Sequence, residues 1–248
     1  MTDFDLGVQS VVYQDFTLSE LLTELDDVDL EYLEIWDYHL SPTDDEDAVA
    51  DGIEAIDDSS IDVCGYGVID LADTGQAREH FAFADRLGAG YVTVNYPPAR
   101  DDITEELVAL GSEFGLDVGI HNYSSVHHDD LSQVFSTIED VRGVLDRYDD
   151  RHLGLCVDTG HFMVEEVDPE AVLRELGDRV NSLHLKDTSD AEIEDYPGAG
   201  KLDLPTLLGL VDDHTDLEAP VVIEYELPGD RASDALREAV ANVRAALD

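Results

Sequence analysis

Two rhythms of apolar and polar residues take turns along this chain. Short runs rich in Val, Ile, Leu and Tyr, of strand length, are each followed by a stretch whose apolar residues recur three and four apart. The run LGVQSVVY at 6–13 predicts a first strand. Behind it, Leu18, Leu21, Leu22 and Leu25 form one helical face, with Thr17 or Ser19 placed to cap it. Further strands are predicted at 30–36, 61–69, 90–96, 116–122, 153–160, 180–187 and 219–227. Between them lie helices at 44–58, 76–87, 102–114 and 129–147, the last with Asp129 or Asp130 as its cap. Others start near Asp168-Pro169 and at Asp203, and a final one spans about 232–247. Gly88 and Gly115 stand where a left-handed C-cap favours glycine.

Strand alternating with helix argues for parallel pairing. Eight such units in 248 residues average about 31 each, which suits one closed (β/α)8 barrel, an α/β TIM barrel, over residues 1–248. A doubly wound open sheet normally carries a glycine-rich phosphate turn after its first strand. Here the first strand runs into QDFTLSE, without glycine, and no Walker sequence follows.

Charge narrows the partners. Sixty acidic residues against 13 basic give a net charge of −47, spread over the whole chain. Such a surface repels nucleic acid and anionic membrane; its even spread fits a halophilic, salt-adapted shell. No run approaches the ~20 apolar residues of a membrane helix, and MTDFDLGVQS is no signal peptide, so a cytoplasmic protein is expected. Cys64 and Cys156 sit in apolar runs without a CxxC partner and are expected to be buried thiols. Only two of the basic residues are lysines, Lys186 and Lys201.

In a parallel barrel, chemistry gathers at the C-terminal strand ends. There the chain places Glu34, Trp36, Asp37 and His39 (strand two), Asn95 (four), His121 and Asn122 (five), Asp158 and His161 (six), His184, Lys186 and Asp187 (seven), and Glu224 and Glu226 (eight). Six of the nine histidines, counting His127 and His128, fall on this one face. Strand alternation puts His184 and Lys186 on one side of HLKD, and Glu224 with Glu226 on one side of VIEYE. Imidazoles and carboxylates converging from neighbouring strands are what a divalent ion requires.

The ordered series DTGHFMVEEVDP, RVNSLHLKD, GAGKLDLPTLL and VVIEYE, with LEIWDYHL near the start, resembles the xylose isomerase-like barrel superfamily of sugar phosphate isomerases and epimerases, inosose dehydratase-like proteins and an abasic-site endonuclease branch. The resemblance implies Asp158, His184 and Glu224 as metal ligands, with His161 close to the metal and Lys186 beside it. Many members end strand five in Glu-Asn; here the pair is His121-Asn122, and His121 is expected either to replace that glutamate as a ligand or to contact substrate. The endonuclease branch adds an Asp-x-His pair after strand seven, which TSDAEIEDYPGAGK lacks, and the chain has no basic DNA groove.

The expected function is a metal-dependent isomerase or epimerase of a sugar, sugar phosphate or cyclitol, working by proton transfer through an enediolate. Glu224 is the expected base, and Lys186 and His161 act on the substrate oxygen. Trp36, His39, Asn122 and Lys201 are assigned to substrate binding. The ligand set favours Mn²⁺, with Mg²⁺, Co²⁺ and Zn²⁺ as alternatives. A small carbohydrate is the expected partner, and a homo-oligomer is compatible with the sequence. The competing readings are an inosose dehydratase-like lyase and a barrel that binds metal or ligand without turnover.

Overall fold

A computed structural model of the protein describes residues 4–247. Eight parallel strands close on themselves in chain order. They are β1 (Leu6–Gln9), β2 (Tyr32–Ile35), β3 (Asp62–Asp70), β4 (Tyr91–Asn95), β5 (Asp117–His121), β6 (Leu153–Asp158), β7 (Val180–Leu185) and β8 (Val221–Ile223). The ring shuts where Val8 of β1 pairs with Ile223 of β8. The helices α1 (Leu18–Leu25), α2 (Glu46–Asp57), α3 (Ala77–Leu87), α4 (Asp101–Phe114), α5 (Ile138–Leu145), α6 (Thr159–Val164), α7 (Pro169–Leu176), α8 (Leu204–His214) and α9 (Gly229–Leu247) follow the strands around the outside. The (β/α)8 barrel expected from the alternation is therefore the fold.

Local chemistry sets the boundaries. Leu18, Leu21, Leu22 and Leu25 are the buried face of α1, and Thr17 with Glu20 forms a capping box at its start. Gly88 and Gly115 close α3 and α4 at φ 76° and φ 70°, a backbone state glycine adopts without strain. Helices and strands bury one continuous apolar layer between them. Both cysteines are buried and free. No helix among the described residues is long and apolar enough to cross a membrane.

Four segments at the mouth of the barrel depart from the pattern-based expectation; in one, the strand expected at 153–160 ends at Asp158, which caps the short helix α6. The first strand stops at Gln9, because the Gln9 side chain accepts from Val11 N–H at 2.6 Å and turns Ser10–Tyr13 into a 3-10 helix. The helix expected at 129–147 begins only at Ile138, where Thr137 and Asp140 make a capping box; Asp130 instead caps a 3-10 turn, Leu131–Gln133. The last strand ends at Ile223, so Glu224 and Glu226 lie just beyond it. These shorter elements leave long loops after β1, β5 and β8, and such loops build the working face of this architecture.

Candidate metal centre

β6 and β7 lie side by side with Asp158 paired to His184, while β5 pairs His121 with Cys156. This register brings His121, Asp158, His184 and Glu224 together, one donor atom from each lying within 4.8 Å of all the others. All four are buried, Glu224 the most exposed at 4%. Both ring nitrogens of His121, Asp158 Oδ2, His184 Nδ1 and Glu224 Oε2 lack an aligned hydrogen bond among the described residues. His184 Nδ1 and Glu224 Oε2 lie only 2.6 Å apart. Buried polar atoms are nearly always paired, because an unpaired one costs roughly 1–3 kcal/mol. The two free ring nitrogens of His121, together with Asp158 Oδ2, His184 Nδ1 and Glu224 Oε2, give two imidazoles and two carboxylates, a donor set for a divalent transition ion.

Each ligand candidate is held from behind. Asp158 is the N-cap of α6: its Oδ1 accepts from His161 N–H at 2.7 Å, leaving Oδ2 for the cluster. Asn122 grips the Asp158 backbone on both sides, donating to its carbonyl at 2.9 Å and accepting from its N–H at 2.8 Å. The His184 ring is fixed by Glu34, which accepts at 2.9 Å from Nε2 and at 2.7 Å from both Tyr91 and Thr93. A carboxylate behind a histidine directs the opposite nitrogen toward a metal. Burial opposes a charge on His184, but Cys156, Glu34 and Glu224 raise its pKa well above the ordinary value, so a cation binding here displaces a proton.

Lys186 is fully buried beside this cluster. Its Nζ lies 2.7 Å from Glu224, 3.1 Å from Glu194 and 3.3 Å from Asp158. Burial would raise the Glu224 carboxyl, yet the Lys186 ammonium and His184 hold it well below its usual range. Burial and the same ammonium push His161 down to about 3, leaving a neutral imidazole whose Nδ1 meets Ser124 Oγ at 3.0 Å. Burial raises Glu226 against the pull of the Lys186 ammonium, and its Oε1 lies 3.5 Å from His127 Nε2.

Two glycines of the motifs have steric reasons. A methyl group on Gly160, in DTGH, would meet Lys186 Cγ at 2.6 Å; on Gly200, in GAGK, it would meet Asp187 Oδ1 at 2.4 Å. Asp187 gathers that loop by accepting backbone N–H groups from Thr188, Gly198, Gly200, Lys201 and Leu202.

The cluster opens into a cavity of about 620 Å³ lined by Trp36, His80, Tyr123, His127, His128, Glu224 and Glu226, among others. A larger hollow, about 760 Å³, lies at the opposite end of the barrel among Tyr32, Asp150, Arg179 and Asn181. Volume does not decide between them: none of the ligand candidates lines the larger hollow, so the chemistry sits at the smaller one.

The sequence-derived set is thus only partly assembled. Asp158, His184, Glu224 and His121 converge, with Lys186 and His161 against them and Trp36 on the cavity wall. Three residues assigned to substrate binding do not line this cavity. His39 has both ring nitrogens engaged, with Ser10 Oγ and with the carbonyls of Tyr13 and Phe16. Asn122 is consumed in holding Asp158. Lys201 is 61% exposed, pairs with Asp190 and borders a separate surface hollow with Met163 and Pro169. Glu194 was missed; it meets His127 at 2.9 Å and Lys186 at 3.1 Å. Nothing local distinguished it from the other carboxylates of its acidic loop.

Comparison with known proteins places the fold in a family. The sequence model of one family, the xylose isomerase-like TIM barrel, matches residues 31–246. An inosose dehydratase from Clostridium perfringens is 25% identical over 139 residues, covering 49% of this chain and 44% of that protein. The chain thus aligns with less than half the length of that curated relative. A D-allulose 3-epimerase from Methylomonas sp. superposes with a TM-score of 0.76 at 15% identity, over 99% of this chain and 98% of the other. The IolI protein, in a crystal structure with a zinc atom bound, gives a TM-score of 0.73 at 16% identity, covering 98% and 96%.

Proposed function

Because this chain belongs to the xylose isomerase-like TIM barrel family, we propose that it is a metal-dependent isomerase or epimerase of a small carbohydrate, such as a sugar, sugar phosphate or cyclitol. One observation carries the reading: buried metal-ligating atoms of His121, Asp158, His184 and Glu224, both His121 ring nitrogens without a hydrogen bond among the described residues, converge beneath a cavity of sugar size.

Those four residues would hold the ion, with Mn²⁺ or Zn²⁺ the best matches to the donor set. When bound, it supplies Lewis acidity toward a carbonyl and its neighbouring hydroxyl. Glu224, at the cavity floor, takes the proton from the carbon alpha to that carbonyl. The Lys186 ammonium, 2.7 Å from Glu224, balances negative charge as it grows on the substrate oxygen. Neutral His161 orients the same oxygen. Trp36 offers an apolar wall to the sugar ring, and burial of the site keeps water from the substrate's enediolate. Returning the proton to the neighbouring carbon, or to the opposite face, completes isomerisation or epimerisation.

A lyase variant shares every step up to the enediolate, and the similarity to an inosose dehydratase favours keeping it. Glu226, two residues beyond Glu224 and on the same cavity wall, is positioned to protonate a departing β-hydroxyl. Product analysis on a panel of keto-sugars and inososes with Mn²⁺, against chelator-treated controls, tests the proposal. An isomer or epimer is expected, an unsaturated product identifies the lyase, and an inert panel rejects both.

A further inference from the structure

We propose that the Lys186 ammonium fills a second cation site, and that neutralising it opens His127, His161 and Glu194 to a second divalent ion. The inference rests on the metal centre proposed above and concerns its neighbour. His127, His161 and Glu194 bring one donor atom each to within 4.8 Å of one another, a second convergence of metal-ligating side chains beside the first. They come from separate parts of the chain: the loop after β5, helix α6, and the loop after β7. Lys186 Nζ sits against two of them, 3.1 Å from Glu194 and 3.5 Å from His161 Nε2, while also meeting Asp158 and Glu224. Three carboxylates and an imidazole around one fully buried point resemble the surroundings of an ion more than those of an ordinary lysine, which is rarely fully buried unless paired.

Charge balance points the same way. Asp158, Glu194 and Glu224 carry three negative charges; one divalent ion together with the ammonium cancels them. A second divalent ion beside the intact, fully buried lysine leaves two surplus positive charges in a site only part of which reaches solvent, which is unfavourable. With the lysine replaced by a neutral side chain, the surplus falls to one, and His127, His161 and Glu194 offer two imidazoles and a carboxylate beside the vacated point. Such a nitrogen-rich set prefers Zn²⁺ or Co²⁺ to Mg²⁺. The lysine is also the fixed alternative to an exchangeable ion, because its stem runs in a track left by Gly160, where a Cβ would meet Lys186 Cγ at 2.6 Å.

The test is Zn²⁺ stoichiometry. Chelator-stripped protein is loaded with Zn²⁺, passed through gel filtration and assayed by elemental analysis, with circular dichroism to verify folding. The wild type should retain one ion per chain, Lys186→Met and Lys186→Gln two, and either variant combined with Glu194→Gln one. His127→Ala in the wild-type background should leave the ratio at one, a check independent of whether the lysine variants fold. Two ions in the wild type, one ion in the folded lysine variants, or a loss of zinc in His127→Ala overturns the inference while leaving the first site standing. No zinc in the wild type overturns that first site as well.

Discussion

Glu34 never faces the cavity, yet it decides which way His184 faces. It is fully buried and accepts from three donors, His184, Tyr91 and Thr93. In Glu34→Gln the amide must turn an N–H toward at least one of those donors, so the histidine ring loses its anchor. Such second-layer changes typically cost roughly 10–100-fold in metal affinity. We expect a drop of that size for Zn²⁺ or Mn²⁺ by calorimetry, with the circular dichroism spectrum unchanged; unaltered affinity would mean the carboxylate is only a core hydrogen-bond partner. At this scale the sequence was legible wherever a motif tied a residue to a strand end, as DTGH and HLKD did for Asp158 and His184. It was silent on Glu194, because a functional carboxylate among 60 acidic residues carries no local mark. It did not show that His39 and Lys201 lie off the cavity wall, because sequence proximity to a strand end does not tell which contacts a long loop will make.

The elements succeed or fail by how they meet. Helix α6 touches β7 through Gly160 and Thr159: the threonine hydroxyl donates to the Lys186 carbonyl at 2.6 Å and accepts from its N–H at 2.9 Å, while the glycine clears space for the lysine stem. Gly160→Ala gains a little helix propensity but overpacks this contact, which typically costs about 1–3 kcal/mol. A lowered denaturation midpoint is expected together with reduced turnover, because the added methyl displaces Lys186; a variant with raised stability and full activity would show that the contact relaxes freely. The eight strands and the helices that follow them came from apolar periodicity, which reports what is buried against the barrel; the short α6, whose first residues were read as the end of the sixth strand, did not. Nor did the ends of the elements, since those of β1, α5 and β8 are fixed by side-chain caps and loop contacts at the mouth, where apolar patterning fades.

For the whole molecule, a net charge of −47 on 248 residues means strong self-repulsion in the folded state. Salt shortens the screening length from about 10 Å at 0.1 M to about 3 Å at 1 M. The melting temperature should therefore rise between 0.1 M and 2 M KCl, by about 2–4 °C for each kcal/mol of repulsion removed; a flat or falling curve would argue against a salt-adapted surface. The central claim is that Glu224 removes a proton alpha to a carbonyl in a metal-assisted site, a step common to isomerase, epimerase and lyase. The most direct measurement is proton NMR of keto-sugars and inososes incubated in D₂O with Mn²⁺-loaded protein, followed by chelation of the metal. The account predicts deuterium at the alpha carbon of at least one compound, lost on prior metal removal and slowed by about 10²–10⁴-fold in Glu224→Gln. Undiminished exchange in that variant, or none with any compound in the wild type, would contradict it.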